Sequence, residues 1–565
     1  MLRKSFCFVT LFCAIFLREN VFAEGDNRPE KLLIPVPQQV DVKEGVFLCT
    51  QNVRIVLYSA NLKSEIGTLQ ETFTGIFGKP AAVIETRANK KNKSVGEICL
   101  VISNSLNDRE TLGDEGYVLF VEKEKIILTA TTPTGVFYGI QTLRQLILLS
   151  ANQQDNKKAI KINCVTILDR YKFEWRGVML DPARYFLPIK LLKKYISTMS
   201  LYKMNRLHLH LTDDGGWTVE MIKYPELNRK ENWPLHNIPL LDSTRGMYTR
   251  KEIQDLVAYA KERHITIIPE LELPGHNSIV GWIKRDILCQ SNPFRKGDFD
   301  FSYKPTAGTD AFQWMEPCVG NEETLKVYEN ILTEFMELFP GDYIHIGGDE
   351  YYGNAWATCP DCQRLIKEKD LEKYDTKERQ ALFANCKGDK KKYLVYRYLM
   401  THLADFITSK GRIPVFWDDL SWRGDFPKNA IIMQWHYKGG RDAWQQIVTP
   451  ENTAAEAAIS GHKAVVAPYN HLYFDKKSSI ENVYFFDPMP NELKDGASKK
   501  LILGPHAPIW DQPIDSVFSA SFPRFYALSQ IAWSCDTKKD FTDFEKRVNA
   551  HDVIAKIVTD GARKD

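Results

Sequence analysis

The octapeptide Tyr343-Ile-His-Ile-Gly-Gly-Asp-Glu350 is a short apolar run closed by two glycines and two acids. A run of that length suits a buried strand, and the paired glycines suit a sharp turn that leaves the acids at the strand end. The pattern recurs on both sides of it. Upstream lie Arg176-Gly-Val-Met-Leu-Asp181, Arg206-Leu-His-Leu-His-Leu211 and Ile265-Thr-Ile-Ile-Pro-Glu270. Downstream lie Ile413-Pro-Val-Phe-Trp417, Ile431-Ile-Met-Gln-Trp435, Lys463-Ala-Val-Val-Ala467 and Leu501-Ile-Leu-Gly504. Helical patterns separate most of them: one through Leu191–Ile196, one over Arg250–Arg263, one at Leu325, Tyr328, Ile331, Leu332, Phe335 and Met336, and one over Tyr393–Thr408. Eight strands alternating with helices close most economically as a (β/α)8 TIM barrel. A doubly wound sheet seldom needs eight strands, and the chain lacks its phosphate-binding GxGxxG turn.

Before the barrel, Val53–Tyr58, Ile98–Ile102, Tyr117–Val121 and Lys125–Thr129 are β-rich runs, followed by a helical pattern over Thr134–Leu149 and a polar break over Ala151–Lys158. They predict a small α+β domain over 24–165 and a barrel over 166–565. Residues 1–23 read as a secretory signal peptide. Met1-Leu2-Arg3-Lys4 is basic, Phe6–Leu17 is apolar but short for a membrane span, and Val21-Phe22-Ala23 ends on a small residue. No later segment is apolar for long enough to cross a bilayer, so the expectation is export to the periplasm or the outside, with no membrane span. The 74 basic residues against 72 acidic ones, a net charge of +2, exclude a nucleic-acid binder, which needs a clustered basic excess. At 26% charged and 44% hydrophobic the chain is not disordered. Its 12% aromatic content serves a large core or a carbohydrate cleft equally well.

In a barrel the site sits at the C-terminal strand ends. Those ends offer Asp181 and Arg184, Asp213-Asp214, Glu270-Leu-Glu272 with His276, and Asp349-Glu350. They continue with Trp417-Asp-Asp419, Trp435-His436, Tyr473-Phe-Asp475 and Trp510-Asp511. Carboxylates, an arginine and aromatic faces suit glycoside hydrolysis. A glycosidase with its own nucleophile sets its two carboxyls about 5–5.5 Å apart across the scissile bond, usually on different strands. The adjacent Asp349-Glu350 fits better a reaction in which the substrate supplies the nucleophile.

The octapeptide also resembles the signature of the family 20 β-N-acetylhexosaminidases. In family order, so do Arg176–Arg184, Asn205–Asp214, Pro269–His276 and Pro523–Leu528, and upstream Ile34–Pro37 and Gly135–Leu143. The resemblance implies a retaining exo-β-N-acetylhexosaminidase, acting through an oxazolinium intermediate on glycans with terminal β-linked N-acetylhexosamine. It implies no cofactor and no catalytic metal. It makes Glu350 the general acid and base, and Asp349 the partner of the acetamido N–H. Asp213 and His276 would tune Glu350 as an Asp–His–Glu chain, and Tyr473 would donate to the acetamido oxygen. Arg184 would bind sugar hydroxyls, Asp475 would accept from one, and Trp417, Trp435 and Trp510 would wall the pocket. Trp217, Trp356 and Trp533 are expected to be structural or to lie on the rim. Two departures stand out. Tyr185 replaces a more usual histidine, and Gln512 replaces the glutamate that contacts O4 or O6. An amide in place of a carboxylate, with His436 nearby, suggests tolerance of an anionic group at O6. A catalytically silent amino-sugar binder is the cross-class alternative.

Two further features stand apart from the site. Of the 11 cysteines, two fall in the leader, leaving an odd number. Cys359-Pro-Asp-Cys362 could be redox-active, half a zinc site or a disulfide; without a second CxxC the disulfide is the preferred reading, and Cys289 and Cys318 could also pair. The run Lys387, Lys390, Lys391 and Lys392 reads as a solvated face.

Overall fold

The computed structural model describes residues 27–561 except 87–95, 156, 231–232, 234–244, 293–294, 296–314, 352, 378–390, 420–426, 438–452, 477 and 536–537. The leader, Cys386, Lys387 and Lys390 therefore lie outside the described residues.

Seven strands form the first layer: β1 (Gln39–Thr50), β2 (Arg54–Leu57), β3 (Ala82–Glu85), β4 (Glu97–Ile102), β5 (Tyr117–Val121), β6 (Lys125–Ala130) and β7 (Ala159–Asp169). Their order across the mixed sheet is β1-β7-β5-β6-β4-β2-β3. The sequence reading found β2, β4, β5 and β6. It missed the short edge strand β3 and the pair β1 and β7, whose long antiparallel pairing is interrupted by a register shift between Val42 and Val46. Because β7 runs to Asp169, the sheet extends past the expected boundary at 165. The helix Pro133–Asn152 lies on this sheet and is buried on every side from Gly135 to Ala151. It is buried all round because the sheet covers one face and the barrel's helices cover the other.

The second unit is a closed barrel of β8 (Gly177–Leu180), β9 (Arg206–His210), β12 (Thr266–Glu270), β13 (Tyr343–His345), β14 (Ile413–Trp417), β15 (Ile431–Gln434), β16 (Ala464–Val466) and β17 (Ile502–Ile509). Each of the eight runs read from sequence contributes one strand. Every neighbouring pair is parallel, which excludes the doubly wound alternative. The strands are buried on both faces, so most read as unbroken apolar runs, while β9 alternates through His208 and His210, which are buried too. A two-strand hairpin, β10 (Thr212–Asp213) with β11 (Gly216–Trp217), extends the end of β9.

Buried polar contacts join the two units. Lys203 Nζ lies 2.7 Å from Asp169 Oδ2, which also accepts from Tyr117 Oη at 2.7 Å and from Trp533 Nε1 at 2.9 Å. The helix Phe541–Gly561 crosses back from the barrel side. On it, His551 donates from Nε2 to the Leu32 carbonyl at 2.8 Å and accepts at Nδ1 from Tyr202 Oη at 3.0 Å. Trp533, Trp217 and Trp356 are all fully buried and therefore structural, not rim, residues. No helix among the described residues is long and apolar enough to cross a membrane.

Two expectations are corrected. Lys392 is buried, so the lysine run is not a uniformly solvated face. No disulfide forms within Cys359-Pro-Asp-Cys362, whose two cysteines, like Cys289 and Cys318, are free. Cys289 and Cys318 instead converge on this pair across long loops, a closure that local spacing cannot reveal.

Candidate active site

β9 and its hairpin deliver Asp213 to the barrel mouth. Asp213 Oδ2 accepts from Arg184 Nη2 at 2.8 Å and faces His210 Nε2 at 2.9 Å, while Oδ1 accepts the Asp214 N–H at 2.7 Å. Burial opposes charge on this carboxyl, but Arg184, His276 and His210 outweigh it and hold it well below the usual range. His210 bonds Glu270 through its other nitrogen. Burial of His210 is outweighed by Glu270 and Asp213, which push it up to about 10 and make it an imidazolium at neutral pH. Arg184 also reaches Asp181 Oδ2 at 3.0 Å and Asp511 Oδ1 at 3.5 Å, with its guanidinium 5.1 Å from the Trp510 ring. Three carboxylates and a ring therefore fix its fork before any ligand arrives.

The acid pair is set by backbone shape. Gly347 (φ +62°) and Gly348 (φ +104°) are left-handed, and Glu350 follows at φ +48°. A Cβ on Gly347 would stand 1.9 Å from Glu272 Oε1, so no other residue fits there. His276 is also left-handed, at φ +46°. Non-glycine residues held in this region mark sites where surrounding structure enforces the conformation. His276 Nε2 lies 3.2 Å from Glu350 Oε2 and 3.9 Å from Asp349 Oδ2.

The other ring nitrogen departs from the expected chain. His276 Nδ1 is 3.4 Å from Asp214 Oδ2 but 3.9 Å from Asp213 Oδ2. Asp213 Oδ2 is already engaged by Arg184 and His210, so the nearer partner of His276 is Asp214, itself fixed by Ser278 Oγ at 2.7 Å. Burial of His276 is outweighed by Asp213, Asp214, Glu350 and Asp349, which raise it well above the ordinary histidine value. His276 is therefore a cation beside Glu350.

Asp349 is raised by burial, a shift that His276 moderates. Beside it, Glu272 is fully buried and pushed well above the carboxylate range by burial and then by Asp349 and Glu270. Glu272 Oε1 accepts the backbone N–H groups of Leu273 at 3.1 Å and Gly348 at 3.3 Å. The Glu272 carboxyl, raised by burial and by Asp349 and so neutral, places no second negative charge beside Asp349.

The aromatic residues form a floor and a wall. Trp417 is buried and donates from Nε1 to Glu270 Oε1 at 2.9 Å, so it is the floor rather than an exposed wall. Trp510 lies 5.9 Å from it and 6.4 Å from Tyr473, centroid to centroid. Trp435 donates from Nε1 to Asp419 Oδ2 at 2.6 Å, while Asp419 Oδ1 accepts the Glu350 N–H at 3.1 Å. Tyr473 is buried, and burial together with Asp349 and Asp475 raises its hydroxyl well above the usual value, so it stays a donor. Asp475 Oδ1 accepts the Trp510 N–H at 3.4 Å, and Oδ2 pairs with Lys476 at 2.8 Å.

The fold thus brings Asp213, His276, Asp349, Glu350, Arg184, Trp417, Trp435, Tyr473, Asp475, Trp510 and Gln512 to one barrel face. Two donors offered for an O6 anion are engaged elsewhere. Gln512 Nε2 donates to the Trp510 carbonyl at 2.9 Å, and His436 is buried with Nδ1 on Asp418 at 2.8 Å. Sequence reading assigned no role to Asp214, His210, Glu270, Glu272 or Asp419. The strand-end rule places all of these but His210 at the barrel mouth without a task; the signal for His210 is its alternate polar position, with His208, in an otherwise apolar strand.

Comparison with known proteins gives the same architecture. The chain is 29% identical over 470 residues to a beta-hexosaminidase of Akkermansia muciniphila, covering 79% of this chain and 85% of that protein. It is 29% identical over 461 residues to one of Porphyromonas gingivalis, covering 78% of this chain but only 53% of that longer protein. An exo-β-N-acetylglucosaminidase of Vibrio harveyi, solved with N-acetylglucosamine, superposes with a TM-score of 0.76 at 23% identity, over 94% of this chain and 77% of that one. The family model for glycosyl hydrolase family 20, domain 2, matches residues 31–170, the span of the sheet. That for the family's catalytic domain matches 173–536, the span of the barrel and its acid pair, and the chain therefore belongs to glycosyl hydrolase family 20.

Proposed function

We propose that this chain is an exported, retaining exo-β-N-acetylhexosaminidase that removes terminal N-acetylglucosamine or N-acetylgalactosamine from glycans. The observation that carries the reading is the consecutive Asp349-Glu350 pair with His276 Nε2 against both carboxylates, at 3.9 and 3.2 Å. Glu350 gives its proton to the leaving glycosidic oxygen as the C1–O bond breaks. The substrate's own acetamido oxygen attacks C1 from the other face and closes an oxazolinium ring. Asp349 accepts the acetamido N–H and offsets the positive charge; Tyr473 donates to the attacking oxygen and fixes its line of approach. Glu350, now a carboxylate beside the His276 cation, removes a proton from water, which opens the ring with net retention. Arg184, held by three carboxylates, presents what remains of its fork to sugar hydroxyls, and the tryptophan floor and wall confine the acetamido group.

Release of p-nitrophenol from p-nitrophenyl N-acetyl-β-glucosaminide tests the activity. Inhibition by a thiazoline analogue of the oxazolinium ion tests the route; turnover that the thiazoline does not inhibit points to an enzymic nucleophile instead. Export to the periplasm or the outside rests on the leader at residues 1–23. N-terminal sequencing of the mature protein, expected to begin at Glu24, tests it.

A further inference from the structure

Beside the catalytic face, four cysteines from two loops meet in a closed cluster. Cys289 and Cys318 belong to the connection after β12, and Cys359 and Cys362 to the connection after β13. All four are buried. The sulfurs stand 3.6 Å apart in Cys318–Cys359, 3.8 Å in Cys318–Cys362 and 4.0 Å in Cys289–Cys362, and all four lie within 4.8 Å of one another. A tetrahedral zinc ion with zinc–sulfur bonds of about 2.3 Å has sulfur–sulfur edges of about 3.8 Å. Two disulfides would instead put each sulfur about 2.05 Å from a partner.

The backbone is built to hold this geometry. An antiparallel bridge between Leu288 and Pro317 sets Cys289 and Cys318 side by side. Its hydrogen bonds run from the Cys289 N–H to the Glu316 carbonyl at 3.1 Å and from the Cys318 N–H to the Ile287 carbonyl at 2.6 Å. Cys359 caps the helix Pro360–Glu368 and Cys362 lies in its first turn, where the helix dipole favours thiolates. Gly320 lets the two loops close: a Cβ there would stand 2.2 Å from the Asp361 carbonyl carbon.

We propose that Cys289, Cys318, Cys359 and Cys362 bind one structural zinc ion that staples the His276-bearing loop to the Glu350-bearing loop. Zn2+ replaces the thiol protons, which leave to solvent, and no electron is transferred. The staple lies directly behind the acid pair. Glu316, two residues before Cys318, accepts from Tyr351, the neighbour of Glu350, and from the Ala355 N–H at 2.8 Å. Trp356 donates from Nε1 to the Pro317 carbonyl at 2.7 Å, and its ring stacks on Tyr351 at 4.3 Å. The centre is closed, with four protein ligands and no position for substrate, so it takes no part in the hydrolysis.

The test uses the full chain purified without added metal or chelator. Elemental analysis should give one zinc per chain, p-hydroxymercuribenzoate should release it to a zinc-binding dye, and protein made on cobalt should show the absorption bands of a tetrahedral thiolate site. Cys318→Ser and Cys362→Ser should each lose the zinc and lower the thermal midpoint; if neither variant folds, the wild-type zinc content and cobalt spectrum still decide. Export to an oxidising compartment makes the competing outcome concrete. Two disulfides among these four residues, found by thiol alkylation and mass mapping of the denatured protein, with no bound zinc, would overturn the proposal, as would iron in place of zinc. None of these readouts depends on hydrolytic activity, so they stand or fall separately from the proposed function.

Discussion

Asp419 Oδ1 accepts the backbone N–H of Glu350 at 3.1 Å while its other oxygen holds the Trp435 indole at 2.6 Å. One carboxylate at the end of β14 therefore fixes both the left-handed turn of the acid and the pose of a wall residue. Asp419→Ala leaves both donors without this acceptor, at a cost of about 1–3 kcal/mol for each that stays buried. The expected result is a loss of roughly 10- to 100-fold in kcat/KM with the fold retained, and partial rescue by Asp419→Asn, which keeps one acceptor oxygen. Unchanged kinetics in Asp419→Ala would show that the turn is held without it.

Glu350→Gln separates acid from base. Substrates with poor leaving groups should lose about 10²- to 10⁴-fold, because they need protonation. Activated aryl glycosides should keep a fast first step. Equal losses on both kinds of substrate, measured by presteady-state release of the aglycone, would remove the argument for Glu350 as the acid.

In the proposed route Asp349 acts as a carboxylate, and burial raises its pKa above the ordinary aspartate value. The acid limb of kcat/KM should therefore lie at higher pH than an ordinary aspartate would give, with rate lost as pH falls through that pKa. Asp349→Asn should cost about 10²- to 10³-fold on activated and unactivated substrates alike, and should abolish this limb. A variant profile with the same limb would assign it to another group.

Glu272 is raised well above the carboxylate range, so at neutral pH it is a neutral acid of nearly the shape of glutamine. Glu272→Gln should leave the thermal midpoint and kcat close to wild type. Glu272→Ala should lower both, because the Gly348 and Leu273 N–H groups lose their acceptor. A large loss in the glutamine variant would mean that a charged carboxylate is required there.

His551 makes stability depend on pH. Burial holds its imidazole down to about 3, against 6.5 ordinarily. Between these values the unfolded chain binds a proton that the native chain does not, so stability rises with pH through that window and levels off above it. Acidification from pH 7 to 5 should cost ~2 kcal/mol through this residue. In His551→Gln, thermal unfolding should show a shallower loss over that range, whatever the variant's own stability at pH 7.

The sequence by itself determined the barrel, because strands buried on both faces must be continuous apolar runs, and eight of them alternating with helices have few ways to close. It also marked Asp349, Glu350, Arg184, His276, Tyr473 and the tryptophans, because a barrel exposes chemistry only at its strand ends. Local pattern could not supply partners that lie far apart in the chain. β1 and β7 were missed because each is completed by the other across more than a hundred residues. The preference of His276 for Asp214 over Asp213 depends on which oxygen Arg184 and His210 have already claimed. The amide of Gln512 and the ring of His436 were matched to a substituent by residue type, yet their donors are turned onto Trp510 and Asp418. The cysteine cluster is the sharpest case. Cys359 and Cys362 read as a local pair, and only the closure of two long loops puts Cys289 and Cys318 beside them, because contacts of that range are set by packing of the whole barrel rather than by any spacing in the chain.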